Sequence, residues 1–267
     1  RYSSSAASDV YKRQGLMRTG GQASHVVTDA SRTLPIPDEI TLEAAASMPV
    51  TYITAHHMLH HLGNLKPTDS VLIHGGGGGV GTAALQLCQW AGVTNVWSTA
   101  SSGKADVIRS YGAVAIDRHN ENFVEIVRSQ TNGRGVDHIL DPIGGAHLKR
   151  SLSVLAQGGK LYTYGMSSAA PSSKRSLWKA LKALRSRPRF DPMLMMSRNQ
   201  GVFGVHMGTW NDEGVMQEQM QNILKGIKEG ALTPIIDSIY DAKDVAKAHQ
   251  HIHDGKNIGK VLLKFVE

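Results

Sequence analysis

The sequence lacks several features that would place it in familiar classes of protein. Cys88 is the single cysteine among 267 residues, so neither a disulfide within the chain nor a cysteine-rich zinc site can form. No run of 18 apolar residues is present, which argues against a membrane-spanning helix. The formal net charge of +7 is too small an excess to predict nucleic-acid binding. These absences favour a globular protein in a reducing compartment, and we expect a cytoplasmic location.

The first fourteen residues, RYSSSAASDVYKRQ, follow no hydrophobic period and do not begin with methionine. We expect residues 1–14 to be a non-native or disordered tail and the chain to be a fragment of a longer protein. These residues therefore do not enter the predictions of fold.

From Val71 onward, short apolar runs alternate with amphipathic stretches. The apolar runs predict strands and the amphipathic stretches predict helices, an order typical of βαβ units and a parallel sheet. A glycine pair at 158–159 is expected to end the fourth of these helices. The predicted strands cover 71–74, 96–99, 114–116, 136–141, 160–164, 202–206, 235–240 and 260–265, and the helices cover 80–90, 104–111, 123–129, 147–155, 214–229 and 241–253.

A run of glycines from Gly75 to Gly81 joins the first of these strands to the next helix. It satisfies G-x-G-x-x-G, and its position between a strand and a helix gives that short pattern its meaning, whereas a flexible glycine loop would need no such context. Glycines allow a tight turn and a close approach to a pyrophosphate, and the helix N-terminus attracts the phosphates. We therefore predict a Rossmann-type dinucleotide site whose phosphate-binding residues are Gly76, Gly78, Gly79, Val80 and Gly81.

The segment after the second strand indicates which dinucleotide would bind. NAD-binding proteins place an acid there to hold the ribose 2′-hydroxyl, but here Thr99, Ser101 and Lys104 follow the strand. Hydroxyls and a lysine suit a 2′-phosphate better than a carboxylate does. We therefore predict NADP(H) rather than NAD, while Lys104 could also be an ordinary solvated lysine in the first turn of a helix.

Several motifs, in this order along the chain, resemble the medium-chain dehydrogenase/reductase superfamily. They are AAASMPVTYITA at 44–55, VLIHGGGGGVG at 71–81, TASSGK at 99–104, GVDHILDPIGG at 135–145 and IHDGKNIGKVLL at 252–263. The branch they resemble most is the zinc-independent quinone oxidoreductases, which includes a vesicle-associated group.

The resemblance implies a fold and a domain order. The fold would be α/β, with a Rossmann doubly wound parallel sheet and the remnant of a GroES-like β domain that lies mostly upstream of this chain. The remnant would cover 15–42 with its last strands near 20–27, the Rossmann domain would cover 43–232, and 233–267 would return to the catalytic domain. A homodimer formed through an edge strand, with 202–206 as the candidate, is also implied.

The resemblance further implies cofactor contacts outside the glycine turn. Thr54 would lie near the nicotinamide, Asp141 and Gly144 would lie along its ribose, and the C-terminal segment would approach from the other side. The residues implied in this way are Thr54, Asp141, Gly144, Gly165, Asn257 and Lys260.

One position departs from the family pattern. Relatives often carry tyrosine beside the adenosine at the position after Asp117, where this sequence has Arg118. An arginine there would bind the 2′-phosphate or stack on the adenine, unless it is simply a surface residue.

No metal ligand and no catalytic residue are predicted. Zinc-dependent relatives place a cysteine where this chain has 47–52, a stretch without cysteine, and Cys88 is expected in the core. The run HHMLHH at 56–61 holds two histidine pairs at helical spacing that could bind a metal, but relatives carry tyrosine and histidine along this helix without one. The proton donor would be solvent or a group in the missing domain.

These observations predict an NADPH-dependent oxidoreductase that transfers hydride to a quinone, an enone or another activated carbonyl without zinc. The alternative is a peripheral membrane or interaction protein that keeps a nucleotide site. Residues 174–189 contain seven basic residues and no acid, and they could contact anionic lipid or form a solvated basic helix packed on the protein. The predicted partners are a small-molecule substrate and a second copy of the chain, without nucleic acid.

Overall fold

A computed structural model describes residues 12–17, 19–169, 185 and 188–265. The chain divides into two compact units, Arg1–Thr54 with His206–Glu267 and Ala55–Val205. The predicted basic helix at 174–189 lies almost wholly outside the described residues.

From β3 onward, the described strands and helices follow the order that the sequence predicts, except that the helix Pro192–Arg198 was not predicted. The strands are β1 (Arg13–Gly15), β2 (Thr33–Pro35), β3 (Ser70–His74), β4 (Asn95–Ala100), β5 (Val114–Asp117), β6 (Val136–Asp141), β7 (Leu155–Thr163), β8 (Gly201–Gly204), β9 (Ile236–Asp241) and β10 (Lys260–Lys264). The helices are α1 (Leu42–His56), α2 (Gly79–Trp90), α3 (Ala105–Ser110), α4 (Phe123–Gln130), α5 (His147–Ser153), α6 (Pro192–Arg198), α7 (Glu213–Lys228) and α8 (Val245–His253).

The Ala55–Val205 unit is built on a parallel sheet in which six described strands run β5-β4-β3-β6-β7-β8. Every neighbouring pair in that order is parallel. This is the doubly wound order, in which the chain reverses direction across the sheet between β3 and β6. The predicted Rossmann fold is thereby confirmed.

The core of this unit lies on the central strands. All five residues of β3 are buried, as expected for a strand that is covered on both faces. Leu72, Ile139 and Leu161, from three adjacent strands, are fully buried together with Val127 of α4. The apolar runs that predicted these strands are therefore the residues that hold the sheet and its helices together.

The junction between α5 and β7 differs from the prediction. Helix α5 ends at Ser153 and β7 begins at Leu155, so the glycine pair expected to stop the helix lies inside the strand. The pairing with β6 shifts register there, because Val136 pairs with Leu155 whereas His138 pairs with Lys160. Between these two pairs β7 has more residues than β6, and the additional residues form a bulge. The two glycines lie in this distorted part of the strand.

The Arg1–Thr54 and His206–Glu267 unit contains two small sheets, an antiparallel pair β1-β2 and a parallel pair β9-β10. The strands expected at 20–27 are absent, although all eight residues are described. All eight are exposed, and Val27 is 97% exposed. A strand there would need a neighbouring strand for its backbone hydrogen bonds, and the described residues supply none.

None of the described helices is both long enough and apolar enough to cross a membrane.

Candidate functional site

The glycine turn connects β3 to α2 at the point where the order of the sheet reverses. The backbone N–H groups of Gly75 and Gly76 donate to the carbonyl of Thr99 at 2.9 and 3.1 Å, which fixes the turn to the end of β4. Helix α2 begins at Gly79, so the first N–H groups of the helix face the open end of the sheet. This is the arrangement that favours phosphate binding.

Two of the glycines are required by close packing. A Cβ atom at Gly76 would collide with the Ser98 hydroxyl, and one at Gly81 would collide with the carbonyl oxygen of Gly75 and lie 2.6 Å from the Cα atom of Gly76. At Gly78, in contrast, the nearest atom to an added Cβ is 3.4 Å away. The structure thus explains Gly76 by its contact with β4 and Gly81 by contacts within the turn.

The structure brings Lys104 to this turn. A Cβ atom added at Gly77 would collide with the Lys104 side chain, which therefore lies across that glycine. Ser101 precedes the short 3₁₀ turn Ser102–Lys104 that leads into α3. Both residues were predicted from the sequence, and their role in holding a 2′-phosphate stays a prediction.

A cavity of about 160 Å³ lies beside the 3₁₀ turn Ser102–Lys104, at the carboxyl ends of β4 and β5. Ser101 and Arg109 line it on one side, and Asp117 and Glu121 line it on the other. The Asp117 carboxylate accepts hydrogen bonds from the His119 N–H and the Asn120 amide, which lower its pKa below the usual range. The cavity therefore contains negative as well as positive charge.

These acids are functional candidates that the sequence analysis missed. The prediction of NADP(H) weighed the segment after β4 and Arg118 after β5, but not the acids Asp117 and Glu121. These acids lie at and just after the end of β5, which pairs directly with β4. Arg118 is not among the residues that line the cavity, and its Nε atom donates to His119 Nε2 at 3.1 Å. The adjacency of β4 and β5 was the signal that could have found Asp117.

At the carboxyl ends of β3 and β6, a buried hydrogen-bond network centres on Asp141. Its Oδ1 atom accepts the backbone N–H groups of Ile143 and Gly144 at 2.7 and 3.0 Å. Its Oδ2 atom accepts from His147 Nδ1 at 2.9 Å and from the Ser151 hydroxyl at 2.8 Å. Burial alone would raise the pKa of Asp141, but the hydrogen bond from His147 and the adjacent histidines hold it below its usual range.

His74 completes this network, which we call the Asp141 network and which comprises His74, Thr99, Asp141, His147 and Ser151. The Nδ1 atom of His74 lies 3.0 Å from the Thr99 hydroxyl, and its Nε2 atom lies 3.2 Å from the Ser151 hydroxyl. Complete burial lowers the pKa of His74, so the ring is neutral. Sequence reasoning found Thr99 and Asp141 but not their three partners, which come together only when β3 and β6 pair.

The ligand atoms of His74, Asp141 and His147 lie within 4.8 Å of one another, close enough to be tested as a metal site. The Ser151 hydroxyl, however, lies 3.2 Å from His74, 2.8 Å from Asp141 and 3.4 Å from His147. It fills the space among the three groups, whereas zinc ligands must lie about 2.0–2.2 Å from the ion. The residues fit a hydrogen-bond network and do not fit a bound metal.

The remaining predicted cofactor residues have the following settings. The Thr54 hydroxyl donates to the Val50 carbonyl at 2.6 Å, and Gly165 packs so closely on Pro142 that a Cβ atom would lie 2.6 Å from its carbonyl oxygen. Asn257 donates to the Gly259 carbonyl at 2.9 Å, and burial lowers the pKa of Lys260. Thr54, Asn257 and Lys260 belong to a different unit from the glycine turn, so their approach to the cofactor stays a prediction.

Comparison with known proteins identifies relatives across most of the chain. A family model described as zinc-binding dehydrogenase matches residues 111–263. The rat synaptic vesicle membrane protein VAT-1 homolog is 34% identical over 250 residues, and a quinone oxidoreductase from Pongo abelii is 25% identical over 247 residues, or 92% of this chain and 69% of the relative. The match to the rat protein covers 93% of this chain but only 62% of the relative.

Among solved structures, a mycobacterial protein in complex with NADPH is similar with a TM-score of 0.75 and 28% identity. The similarity covers 88% of this chain and 68% of that chain. The family match, the sheet order and the glycine turn agree with the resemblance inferred from the motifs. The chain therefore belongs to the zinc-binding dehydrogenase family, among the quinone oxidoreductase-like members of the medium-chain dehydrogenase/reductase superfamily.

Proposed function

We propose that the whole protein is a cytoplasmic, NADPH-dependent oxidoreductase that transfers hydride to a quinone, an enone or another activated carbonyl. The observation that carries this proposal is the glycine turn at the start of α2, placed where the strand order reverses. Similarity to a quinone oxidoreductase and to a protein solved with NADPH supports the acceptor class and the cofactor.

The residues of this chain would bind and orient the cofactor. The N–H groups at the start of α2 would hold the pyrophosphate, and Lys104, lying across Gly77, would supply positive charge for the 2′-phosphate of NADPH. The Asp141 network would keep the loop at Ile143 and Gly144 rigid, which favours a fixed position for the ribose. When bound, the nicotinamide supplies the hydride, and catalysis rests on holding it against the acceptor.

The possible metal ligands among the described residues support a mechanism without zinc. Burial raises the pKa of Cys88 to about 12, so this thiol is a neutral core group and not a metal ligand. The three-residue cluster at Asp141 does not fit an ion either, because the Ser151 hydroxyl fills its centre. No residue of the chain is assigned as a proton donor.

Calorimetric titration of the full-length protein with NADPH and NADH tests this function. We expect NADPH to bind at least tenfold more tightly, a difference of about 1.4 kcal/mol. Lys104→Met should remove most of that preference by weakening NADPH binding, whereas Lys149→Met, which changes an exposed lysine on α5, should have no effect. Equal affinities for the two cofactors would contradict the proposal.

A second candidate function is peripheral membrane binding, which one surface favours. Phe190, Met193, Leu194 and Met196, in and just before α6, are 38–71% exposed and follow the basic stretch 174–189. Apolar side chains beside basic residues are typical of a surface that enters an anionic bilayer.

Sedimentation with phosphatidylserine vesicles at low and high salt tests this second candidate. The double substitution Met193→Gln/Met196→Gln should abolish sedimentation, and Ile252→Gln, which removes an exposed apolar residue on α8, should not. Reductase activity without vesicle binding would rule this function out.

We also propose that two copies associate through β8. This strand ends the described sheet, so one of its edges lacks a neighbouring strand among the described residues. Pairing of two such edges would extend the sheet across a dimer. Light scattering of the full-length protein should give twice the chain mass, and a monomer would contradict the proposal.

A further inference from the structure

Four histidines lie where helix α1 ends and a π-helix begins. The chain continues beyond His56 as a π-helix over His57–Leu62, a wider turn that recurs at functional sites in proteins. His56 and His60 lie side by side with ring centroids 4.7 Å apart, and His57 and His61 stack at 4.8 Å. The π-helical segment is held at its end by the Lys160 ammonium group, which donates to the carbonyls of Leu62 and Gly63 at 3.0 and 2.8 Å.

Burial does not separate the two histidine pairs, but the inner pair, His56 and His60, has polar atoms without partners. Each pair joins a buried ring, His56 at 8% exposed or His57 at 2% exposed, to a more exposed one. The Nδ1 atom of His56 and the Nε2 atom of His60 are both buried without a hydrogen-bond partner. A buried polar atom left in this way costs about 1–3 kcal/mol, so two of them in adjacent rings call for an explanation.

The chemistry of the two rings suits metal binding. The lone pair of an imidazole nitrogen binds zinc, copper or nickel. The two nitrogens without a hydrogen-bond partner, His56 Nδ1 and His60 Nε2, belong to neighbouring rings.

We propose that His56 and His60 form a binding site for one divalent transition-metal ion of the zinc type. Two nitrogens that each lie 2.0–2.1 Å from zinc must be within about 4 Å of each other, which is comparable with the 4.7 Å between the centroids of the two rings. Water would complete the coordination, because no third ligand group lies near enough among the described residues. The ion would bind both buried nitrogens and link the last residue of the α-helix to the π-helix that follows it.

This site is separate from the proposed hydride transfer. It is also distinct from the Asp141 network, in which the ring nitrogens of His74 already have hydroxyl partners. The sequence analysis rejected HHMLHH as a metal site because relatives lack a metal there. The pairing of the rings and the two unsatisfied nitrogens are observations that only the structure supplies.

Calorimetric titration of the whole chain with Zn²⁺ tests the proposal, with His61→Gln as the matched control for His60→Gln. We expect saturable binding of one ion in the unchanged protein. His60→Gln should weaken it at least tenfold, and His61→Gln, on the same helix and at the same spacing in the His57–His61 pair, should change it less than twofold. Equal losses in the two variants, losses in neither, or no saturable binding would each overturn the proposal.

Two measurements on the unchanged protein test the site even if a substituted variant fails to fold. In ¹H–¹⁵N correlation spectra of the histidine rings, Zn²⁺ should shift one ring nitrogen each of His56 and His60. Thermal unfolding of the unchanged protein should also move to higher temperature with Zn²⁺ but not with Mg²⁺, which prefers oxygen ligands. Shifts confined to other histidines, or equal stabilisation by Mg²⁺, would contradict the site.

Discussion

The Asp141 network and the His56–His60 pair are two buried histidine groups in which hydrogen bonding differs sharply. In the network, both nitrogens of His74 have hydroxyl partners and the Asp141 carboxylate accepts four hydrogen bonds. In the pair, one nitrogen of each ring is buried with no partner. Burial alone therefore does not reveal what a histidine does. The number of its ring nitrogens that have a hydrogen-bond partner distinguishes a structural histidine from one that binds a ligand.

Asp141→Ala should have the largest effect on stability. It removes the acceptor for two backbone N–H groups, for His147 and for Ser151, and each buried group left unsatisfied costs about 1–3 kcal/mol. We expect urea unfolding to show a loss of about 3 kcal/mol or more. Asp106→Ala, at a carboxylate whose side chain is 99% exposed, should change stability by less than about 0.5 kcal/mol. Similar values for the two variants would mean that the network does not stabilise the fold.

His74→Phe should have the next largest effect. Phenylalanine keeps the ring but leaves the Thr99 hydroxyl without its partner in a fully buried place. We expect a loss of about 2 kcal/mol in urea unfolding, within the usual range for a buried unsatisfied group. An unchanged midpoint of urea unfolding would show that the His74 ring fills space without contributing hydrogen bonds to stability.

Acid should destabilise the protein through the unsatisfied pair. His56 has a folded pKa of about 3, below its unfolded value of about 6.5, so between these values only the unfolded chain takes up the proton. Stability from this group is therefore present above pH 6.5 and is lost as pH falls toward 3, by at most about 1.4 kcal/mol per pH unit. His56→Gln should reduce the loss measured between pH 6.5 and 5.5 by about 1 kcal/mol.

The control for this pH measurement is His253→Gln, which changes an exposed histidine at the end of α8. Its stability should fall with pH in parallel with that of the unchanged protein. If His56→Gln also gave a parallel curve, burial would not be holding His56 neutral.

His60→Phe should have the smallest effect. It removes a buried nitrogen without a partner while keeping a ring of similar size beside His56. In metal-free buffer we expect stability within about 1 kcal/mol of the unchanged protein, in contrast to His74→Phe. A loss as large as that of His74→Phe would mean that His60 makes contacts as important as those of the network.

The sequence predicted the parts of the molecule that depend on local pattern. The apolar runs of β3 and β6 and the glycines before α2 are continuous in sequence, so their roles could be inferred from neighbours along the chain. The position of Asp117 on the same cavity as Ser101 was missed, because it depends on β5 pairing with β4 and not on neighbours along the chain. The expected strands at 20–27 failed for a related reason, since a strand requires a partner that no local pattern reveals.

The same limit applies to the histidines. Their spacing in HHMLHH was visible, but which ring nitrogens would be buried without a partner depends on how the helix packs. Two partners of Asp141, His147 and Ser151, are only 6 and 10 residues away in sequence, whereas His74 contacts Ser151 from 77 residues away. Contacts of this long-range kind depend on tertiary packing, and a single sequence carries little information about it.

The close approach of Gly76 to Ser98 has a consequence for how this sequence can evolve. A Cβ atom at position 76 would collide with the Ser98 hydroxyl and would also lie 3.0 Å from the Ser98 Cβ atom and 3.3 Å from Ile108 Cδ1. Exchanging Ser98 for alanine would remove the collision and leave two tight contacts. The two positions, 22 apart in the chain, therefore form an epistatic pair, in which a side chain at 76 requires a change at 98. As long as serine stands at 98, position 76 is confined to glycine, whatever selection acts on the ligand.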